Sequence, residues 1–142
     1  MFIDFSYALA PLVAWFLAGT LKFLVNSIKT GQLAFKLIGY GGLPSTHSAI
    51  VSSMVALIAF REGIGHPAFG VAVTLAFVVI LDASSLRRQV GRHASAINRL
   101  TAKLQVEDPN PLRERMGHTP FEIAAGVLVG VAAAVVSNTW AA

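Results

Sequence analysis

Long apolar stretches that carry few charges constrain this chain more than any other feature of its sequence. Only 13% of the residues are charged and 55% are hydrophobic, whereas a soluble domain carries about 25% charged residues. That apolar content is too high for a surface that faces water, so the sequence predicts an integral membrane protein. For 142 residues, one membrane domain over 1–142 is the natural size.

The apolar stretches predict four membrane-spanning helices, at about 7–25, 48–62, 68–83 and 120–140. The second is short for a bilayer, which needs about 20 residues. It spans only if the helix continues towards Gly63, or if the preceding glycine-rich loop at 39–47 is re-entrant or interfacial. Apolar residues at helical spacing over 93–105 predict an amphipathic helix, either interfacial or packed on the domain. The expected fold is an all-α polytopic helical bundle.

Basic residues indicate the orientation of these helices. They concentrate in the 26–46 and 84–119 linkers, which an alternating four-span chain places on one side. Lys and Arg favour the cytoplasmic side, so both termini are expected outside the cytoplasm, in the cell inner (plasma) membrane. The N-terminus lacks the basic region of a cleavable signal peptide, so the first apolar stretch is interpreted as a retained span.

Composition also excludes several classes of function. The chain has no cysteine, which excludes disulfides, thiol catalysis and thiolate metal sites. The net charge of +4 lies beside apolar stretches, which fits anionic headgroups or phosphorylated substrates better than nucleic acid.

The glycine-rich segment 39–48 (GYGGLPSTHS) leads directly into an apolar stretch. A glycine loop at a helix start presents backbone N–H groups to an anion, and His47 can move a proton near neutral pH. The plainer alternative is a capped loop, in which Pro44 starts the turn and Ser45 or Thr46 caps the helix.

His118 and Glu122 form a second candidate pair, because residues four apart share a helix face. A carboxylate behind an imidazole fixes its tautomer, although Glu122 is also the acid expected in a first helical turn, with Thr119 as the cap. The predicted topology places His47 and His118 on one side, where two histidines can act as acid and nucleophile in phosphoryl transfer.

Other groups leave alternatives open. Asp82, His47, His118 and Glu122 suggest a divalent metal site, but their spacing matches no known zinc signature; the alternative for Asp82 is an ion pair with a nearby arginine. Gly126 and Gly130 form a small-residue motif that serves either a homodimer or packing inside the chain.

Three ordered motifs carry a resemblance to a known family. They are residues 41–49 (GGLPSTHSA), Asp82-Ala83 followed by Arg87-Arg88, and residues 117–122 (GHTPFE) followed by Gly126. Over about residues 10–135 the chain resembles the divergent branch of the type-2 phosphatidic acid phosphatase and vanadium-dependent haloperoxidase-related membrane proteins.

The resemblance implies a role for each motif. His47 would protonate the leaving oxygen, His118 would attack phosphorus to form a phosphohistidine, and Glu122 would hold His118. Ser45, Thr46 and their backbone N–H groups would bind the phosphoryl oxygens. The phosphatase chemistry of that superfamily implies no metal, and no cofactor is expected.

The chain departs from the superfamily pattern at several positions. Thr46 stands where a glycine is usual, Glu122 stands where an aspartate is usual, and no Arg-Pro occurs anywhere. Arg113 lies one residue from the usual arginine position of the last motif. Arg87 and Arg88 are therefore the candidates for completing the phosphate site.

The predicted function is that of a metal-independent lipid phosphatase acting on a phospholipid or polyprenyl phosphate or diphosphate. One alternative is a non-catalytic membrane protein that binds or transports a phosphate or lipid headgroup. Another is a structural membrane protein that acts through Gly126 and Gly130.

Overall fold

The computed structural model describes residues 5–31, 33, 42–105 and 110–140, which form helices and turns and contain no strand. The helices are α1 (Ser6–Thr30), α2 (Thr46–Arg61), α3 (Pro67–Leu81), α4 (Arg87–Lys103) and α5 (Pro120–Trp140). One π-helical turn, Asp82–Leu86, joins α3 to α4 without a break. Each predicted apolar stretch lies in one of these helices or runs into the turn that ends it.

Three of the described helices are long and apolar enough to cross a membrane: α1, the continuous α3–α4 helix and α5. The apolar helix α2 has 16 residues, which corresponds to about 24 Å against a hydrocarbon core of about 30 Å. The protein is an all-α membrane helical bundle. That the chain crosses the membrane four times as a single domain stays a prediction.

Helices α2 and α5 begin at capping residues that the sequence indicated. The Ser45 hydroxyl accepts the Ser48 N–H at 3.3 Å, and the Thr119 hydroxyl accepts the Glu122 N–H at 3.2 Å. Glu122 returns the contact by accepting the Thr119 N–H at 2.9 Å, which completes a capping box. Such a cap stabilises a helix by about 1 kcal/mol, so both starts are defined locally.

The centre of the bundle is formed by α1, α2 and α5, which approach closely because small residues line their contacts. A Cβ added at Gly126 or Gly130 would collide with the main chain of α2 or its cap, at Ser45 O and Ala49 O respectively. The two glycines therefore pack α5 on α2 within the chain, which leaves them covered rather than open to a second copy. The buried apolar residues of these helices are Ala10, Ala14, Ala18, Ala49, Val51, Ala56, Leu57, Ile58, Ala133 and Ala134.

The amphipathic segment predicted over 93–105, either interfacial or packed on the domain, is not a separate helix. It is the second half of one helix, Pro67–Lys103, of 37 residues, about 55 Å long, so part of that helix must extend beyond the hydrocarbon core. Asn98 binds the main chain of Leu112 through both its amide nitrogen and its amide oxygen. One face of α4 is thus covered by residues 110–117, while Ile97 and Leu100 on the other face are exposed.

A polar cluster joins the other ends of the central helices. Arg61 at the end of α2 donates to Ser6 of α1 and to Asn138 of α5 at 2.9 Å. Its guanidinium also lies 5.4 Å from the Tyr7 ring centre, and the Tyr7 hydroxyl donates to Glu62 at 2.6 Å. The cluster holds the three helices in register at the end opposite to the two histidines.

Candidate functional site

His47 and His118 lie side by side in the structure. Their ring centres are 6.1 Å apart and the ring planes are inclined at 54°. A phosphoryl group is contacted by catalytic atoms at about 3 Å, so two imidazoles can flank one only when they lie within about 10 Å of each other. The separation of 71 positions in sequence is closed by the packing of α5 on α2.

The imidazole of His118 is held by Glu122. Its Nδ1 lies 3.3 Å from Glu122 Oε2, and the residue is only 6% exposed. Because a carboxylate only accepts hydrogen bonds, this contact assigns the proton to Nδ1 and leaves a lone pair on Nε2. The same Oε2 accepts the Thr119 N–H, so Glu122 is both the partner of the imidazole and the cap of α5.

The surroundings of His118 favour its neutral form. Burial lowers the pKa of His118 most strongly, and the positive charge of Lys22 lowers it further. The hydrogen bond that His118 donates to Glu122 raises the pKa but does not cancel these effects. A neutral imidazole keeps a free lone pair on one ring nitrogen.

His47 occupies the first turn of α2, facing His118. Its Nδ1 is buried and has no hydrogen-bond partner among the residues that the structure describes. Buried polar atoms are nearly always paired, so a ligand oxygen or water is a natural partner for this nitrogen. His47 also lies close to the N-terminus of α2, where the helix dipole favours an anion.

The two halves of the site are joined through Ser45. Its backbone N–H donates to the Glu122 carbonyl at 2.9 Å, and its side chain is fully buried. Since its hydroxyl also accepts from Ser48 Oγ at 3.0 Å, it serves as an internal cap. Thr46, the other predicted phosphate ligand of this loop, is half-buried at the start of α2. Residues 39–41 lie outside the described residues.

The three arginines predicted to bind phosphate have different partners in the structure. Arg87 Nε lies 3.1 Å from Asp82 Oδ2, which confirms the ion pair expected for Asp82, and its charge acts on both imidazoles. Arg88 donates to the His118 carbonyl at 3.4 Å. Arg113 lies in the 110–117 segment, within electrostatic range of Lys22.

A model of the Divergent PAP2 family matches residues 5–133. The chain belongs to this family. It is 29% identical over 138 residues to a Bacillus subtilis (strain 168) protein described as "Uncharacterized membrane protein YuiD", with 87% of each chain covered. No solved structure matches the chain. The match to the divergent PAP2 family includes both histidine motifs and the π-helical turn.

Sequence reasoning missed one ionisable residue that lies close to this candidate site. Lys22, which lies near the end of the first predicted span, is half-buried on α1 and acts electrostatically on His47, His118 and Glu122. The signal that could have found it is the one used for Glu122: an ionisable residue within an apolar stretch is costly and usually functional.

The ligands suggested for a metal centre are not assembled within the part of the chain that the structure describes. Within residues 5–31, 33, 42–105 and 110–140, no group of three or more His, Asp or Glu side chains is placed to hold a metal ion. Asp82, the fourth member of the proposed set, is turned towards Arg87 instead.

Proposed function

We propose that this protein is a phosphatase that hydrolyses a lipid-linked phosphate or diphosphate at the cytoplasmic face of the membrane. The observation that carries the proposal is the pair of imidazoles 6.1 Å apart, one of which is held at Nδ1 by a carboxylate. Membership of the divergent PAP2 family supports a phosphatase-type reaction.

The proposed first step uses the two histidines as nucleophile and acid. The free Nε2 lone pair of His118 attacks phosphorus while the bond from phosphorus to the leaving oxygen breaks. Protonated His47 gives its proton to that oxygen, which departs as the lipid alcohol or lipid phosphate. Glu122 stabilises the positive charge that the His118 imidazole acquires, and Lys22 and Arg87 attract the phosphoryl oxygens.

In the second step, neutral His47 takes a proton from water as the water oxygen attacks phosphorus. The bond from phosphorus to His118 Nε2 breaks, inorganic phosphate leaves, and both imidazoles return to their starting protonation states. The chemistry uses the side chains already described and requires no metal.

The depth of the site supports a lipid substrate. Helices α1 and α2 run antiparallel: Arg61 meets Ser6 at one end, and His47 is near Lys22 at the other. The rise from Ser6 to Lys22 is about 24 Å, less than the thickness of the hydrocarbon core of about 30 Å. With Ser6 at one surface of the hydrocarbon core, a phosphate beside Lys22 lies close to the opposite surface, within reach of a lipid headgroup.

The proposal is tested by measuring phosphate release from a panel of lipid phosphates and diphosphates by the purified protein. We expect His118→Ala to abolish release and His47→Ala to lower it by about 10²- to 10⁴-fold. His93→Ala, which changes an exposed histidine of α4, is the matched control and should retain turnover. A folded wild-type protein that releases phosphate from none of these lipids would overturn the proposal.

A second candidate is a protein that binds or transports a phosphate or lipid headgroup without hydrolysis. It is favoured by the departure from the superfamily pattern, since no Arg-Pro occurs anywhere in the sequence. This alternative predicts that orthovanadate or phosphate binds, that no lipid phosphate is turned over, and that Glu122→Gln leaves binding unchanged.

A further inference from the structure

The π-helical turn at Asp82–Leu86 changes the hydrogen bonding of the helix beside His118. In an α-helix the Arg87 N–H would bond to the carbonyl four residues back, at Ala83, but here it bonds to Asp82 O. The Ala83 carbonyl instead accepts the His118 N–H at 2.9 Å. Ala83 is fully buried, so water cannot replace this partner.

The helix also contacts the chain on the other side of His118. Arg88, two residues after the turn, donates to the His118 carbonyl at 3.4 Å. Gly117 has a φ of +87°, and a Cβ added there would lie 3.1 Å from the Arg88 nitrogen. Only glycine combines that backbone conformation with so close an approach, so the His118 main chain is held at both its N–H and its carbonyl.

The ion pair between Asp82 and Arg87 joins residues five apart, which is the spacing of the π-helical hydrogen bond. It therefore spans the widened turn itself. Single π-helical turns in α-helices occur frequently at functional sites. Here the turn has a direct structural effect, because it makes a buried carbonyl available to a residue 35 positions later in the chain.

We propose that the π-helical turn and Arg88 are a positioning element that fixes the main chain of His118 so that its imidazole faces His47. Arg88 is then a positioning residue and not a phosphate ligand. The contribution to turnover rests on the proposed function, whereas the anchoring of the His118 main chain does not.

Two glycine variants separate the anchor from general backbone strain. Gly117→Ala introduces a Cβ against Arg88, while Gly63→Ala has a similar φ of +83° and nothing within 4 Å of the added Cβ. In Gly117→Ala we expect hydrogen exchange of the His118 amide to accelerate by about tenfold or more. We also expect kcat to fall by about 10- to 100-fold with KM unchanged, because the imidazole is displaced. Gly63→Ala should leave both quantities near wild type.

Arg88 variants test the hydrogen bond from Arg88 to the His118 carbonyl. They also keep the proposal testable in case the Gly117→Ala protein does not fold. Arg88→Gln should accelerate His118 amide exchange and lower kcat, and Arg88→Lys, which keeps a charged donor, should partly restore both. If Arg88 were a phosphate ligand, Arg88→Gln would instead raise KM and leave the amide unaffected. Unchanged His118 exchange in Gly117→Ala or in Arg88→Gln would overturn the proposal.

The two readouts keep this inference distinct from the proposed function. If the wild-type protein turns over no lipid phosphate, the proposed function fails, but amide exchange still decides whether the π-helical turn anchors His118. If turnover is present and the exchange of His118 does not respond to the variants, the function stands and the positioning element is rejected.

Discussion

One carboxylate oxygen of Glu122 serves two neighbours in different ways. Oε2 accepts the Thr119 N–H at the start of α5 and lies 3.3 Å from His118 Nδ1. The first contact is structural, because it satisfies a main-chain donor that the helix leaves unpaired. The second contact sets the tautomer of the imidazole, which matters only if His118 acts as a nucleophile.

Glu122→Gln separates these two uses. The amide oxygen of Gln can still accept the Thr119 N–H, so we expect the free energy of unfolding to change by less than about 1 kcal/mol. The neutral amide cannot stabilise a positively charged imidazole, so lipid phosphate turnover should fall by about 10²- to 10⁴-fold. Thermal unfolding and phosphate release, measured on the same preparation, check both expectations.

Thr119→Ala is the matched control for this prediction. It removes the hydroxyl that accepts the Glu122 N–H and should cost about 1 kcal/mol of stability, while the carboxylate stays beside His118. If Thr119→Ala and Glu122→Gln lose turnover in proportion to lost stability, Glu122 acts only as a cap.

At the scale of elements, the contact between α2 and α5 brings the two halves of the site together. Gly126 lies under Ser45 and Ser48, and the Ser45 N–H donates to the Glu122 carbonyl. Any increase in the distance between these helices therefore also separates His47 from His118. Small residues at this contact are thus required for the geometry of the site as well as for packing.

Alanine substitution at two helix glycines is expected to have different effects on the free energy of unfolding. Gly126→Ala places a Cβ on the main chain of Ser45 and should destabilise the bundle by about 1–3 kcal/mol through overpacking. Gly19→Ala, on an exposed face of α1 with nothing within 4 Å, should be neutral or stabilising by up to about 1 kcal/mol. Unfolding in detergent compares the two variants.

Turnover gives the second readout for this pair. Gly126→Ala should lower phosphate release in protein that is still folded, whereas Gly19→Ala should leave it unchanged. Equal stability of the two variants would contradict the close approach of α5 to α2.

At the scale of the whole molecule, two polar clusters lie at opposite ends of an apolar bundle. Arg61 and its partners on α1 and α5 close one end, and the two histidines lie at the other. Between them the central helices present small residues inside and large apolar residues outside, as expected where lipid surrounds the protein. The basic residues of α4 and of the 110–117 segment lie on the same side of the bundle as the two histidines.

The predicted orientation is testable because the chain contains no cysteine. We expect Gly65→Cys, in the turn between α2 and α3, to react with a membrane-impermeant maleimide in right-side-out vesicles. Gln105→Cys, just after α4, should react only after permeabilisation, since the basic linkers are expected in the cytoplasm. The reverse labelling pattern would place the two histidines on the outer face and contradict a cytoplasmic site.

Local patterns in the sequence were sufficient to predict the helices and the pairing of His118 with Glu122 in the candidate site. The capping residues Ser45 and Thr119 act within three residues of their partners, and the pairing of His118 with Glu122 follows from a separation of four residues. Such contacts are decided by helix geometry alone. The resemblance to the divergent PAP2 family likewise depended on short motifs, and the family match confirms it.

The tertiary structure decided what those patterns left open. The approach of His47 to His118, the position of Lys22 beside them and the bond from His118 to Ala83 join residues that are far apart in sequence. Their distances depend on how α1, α2, α5 and the α3–α4 helix pack. The π-helical turn in the sequence DASSL carries no glycine or proline that would mark it. The glycine-rich loop and the GHTPFE motif were recognisable from their residues, but only helix packing makes them one site.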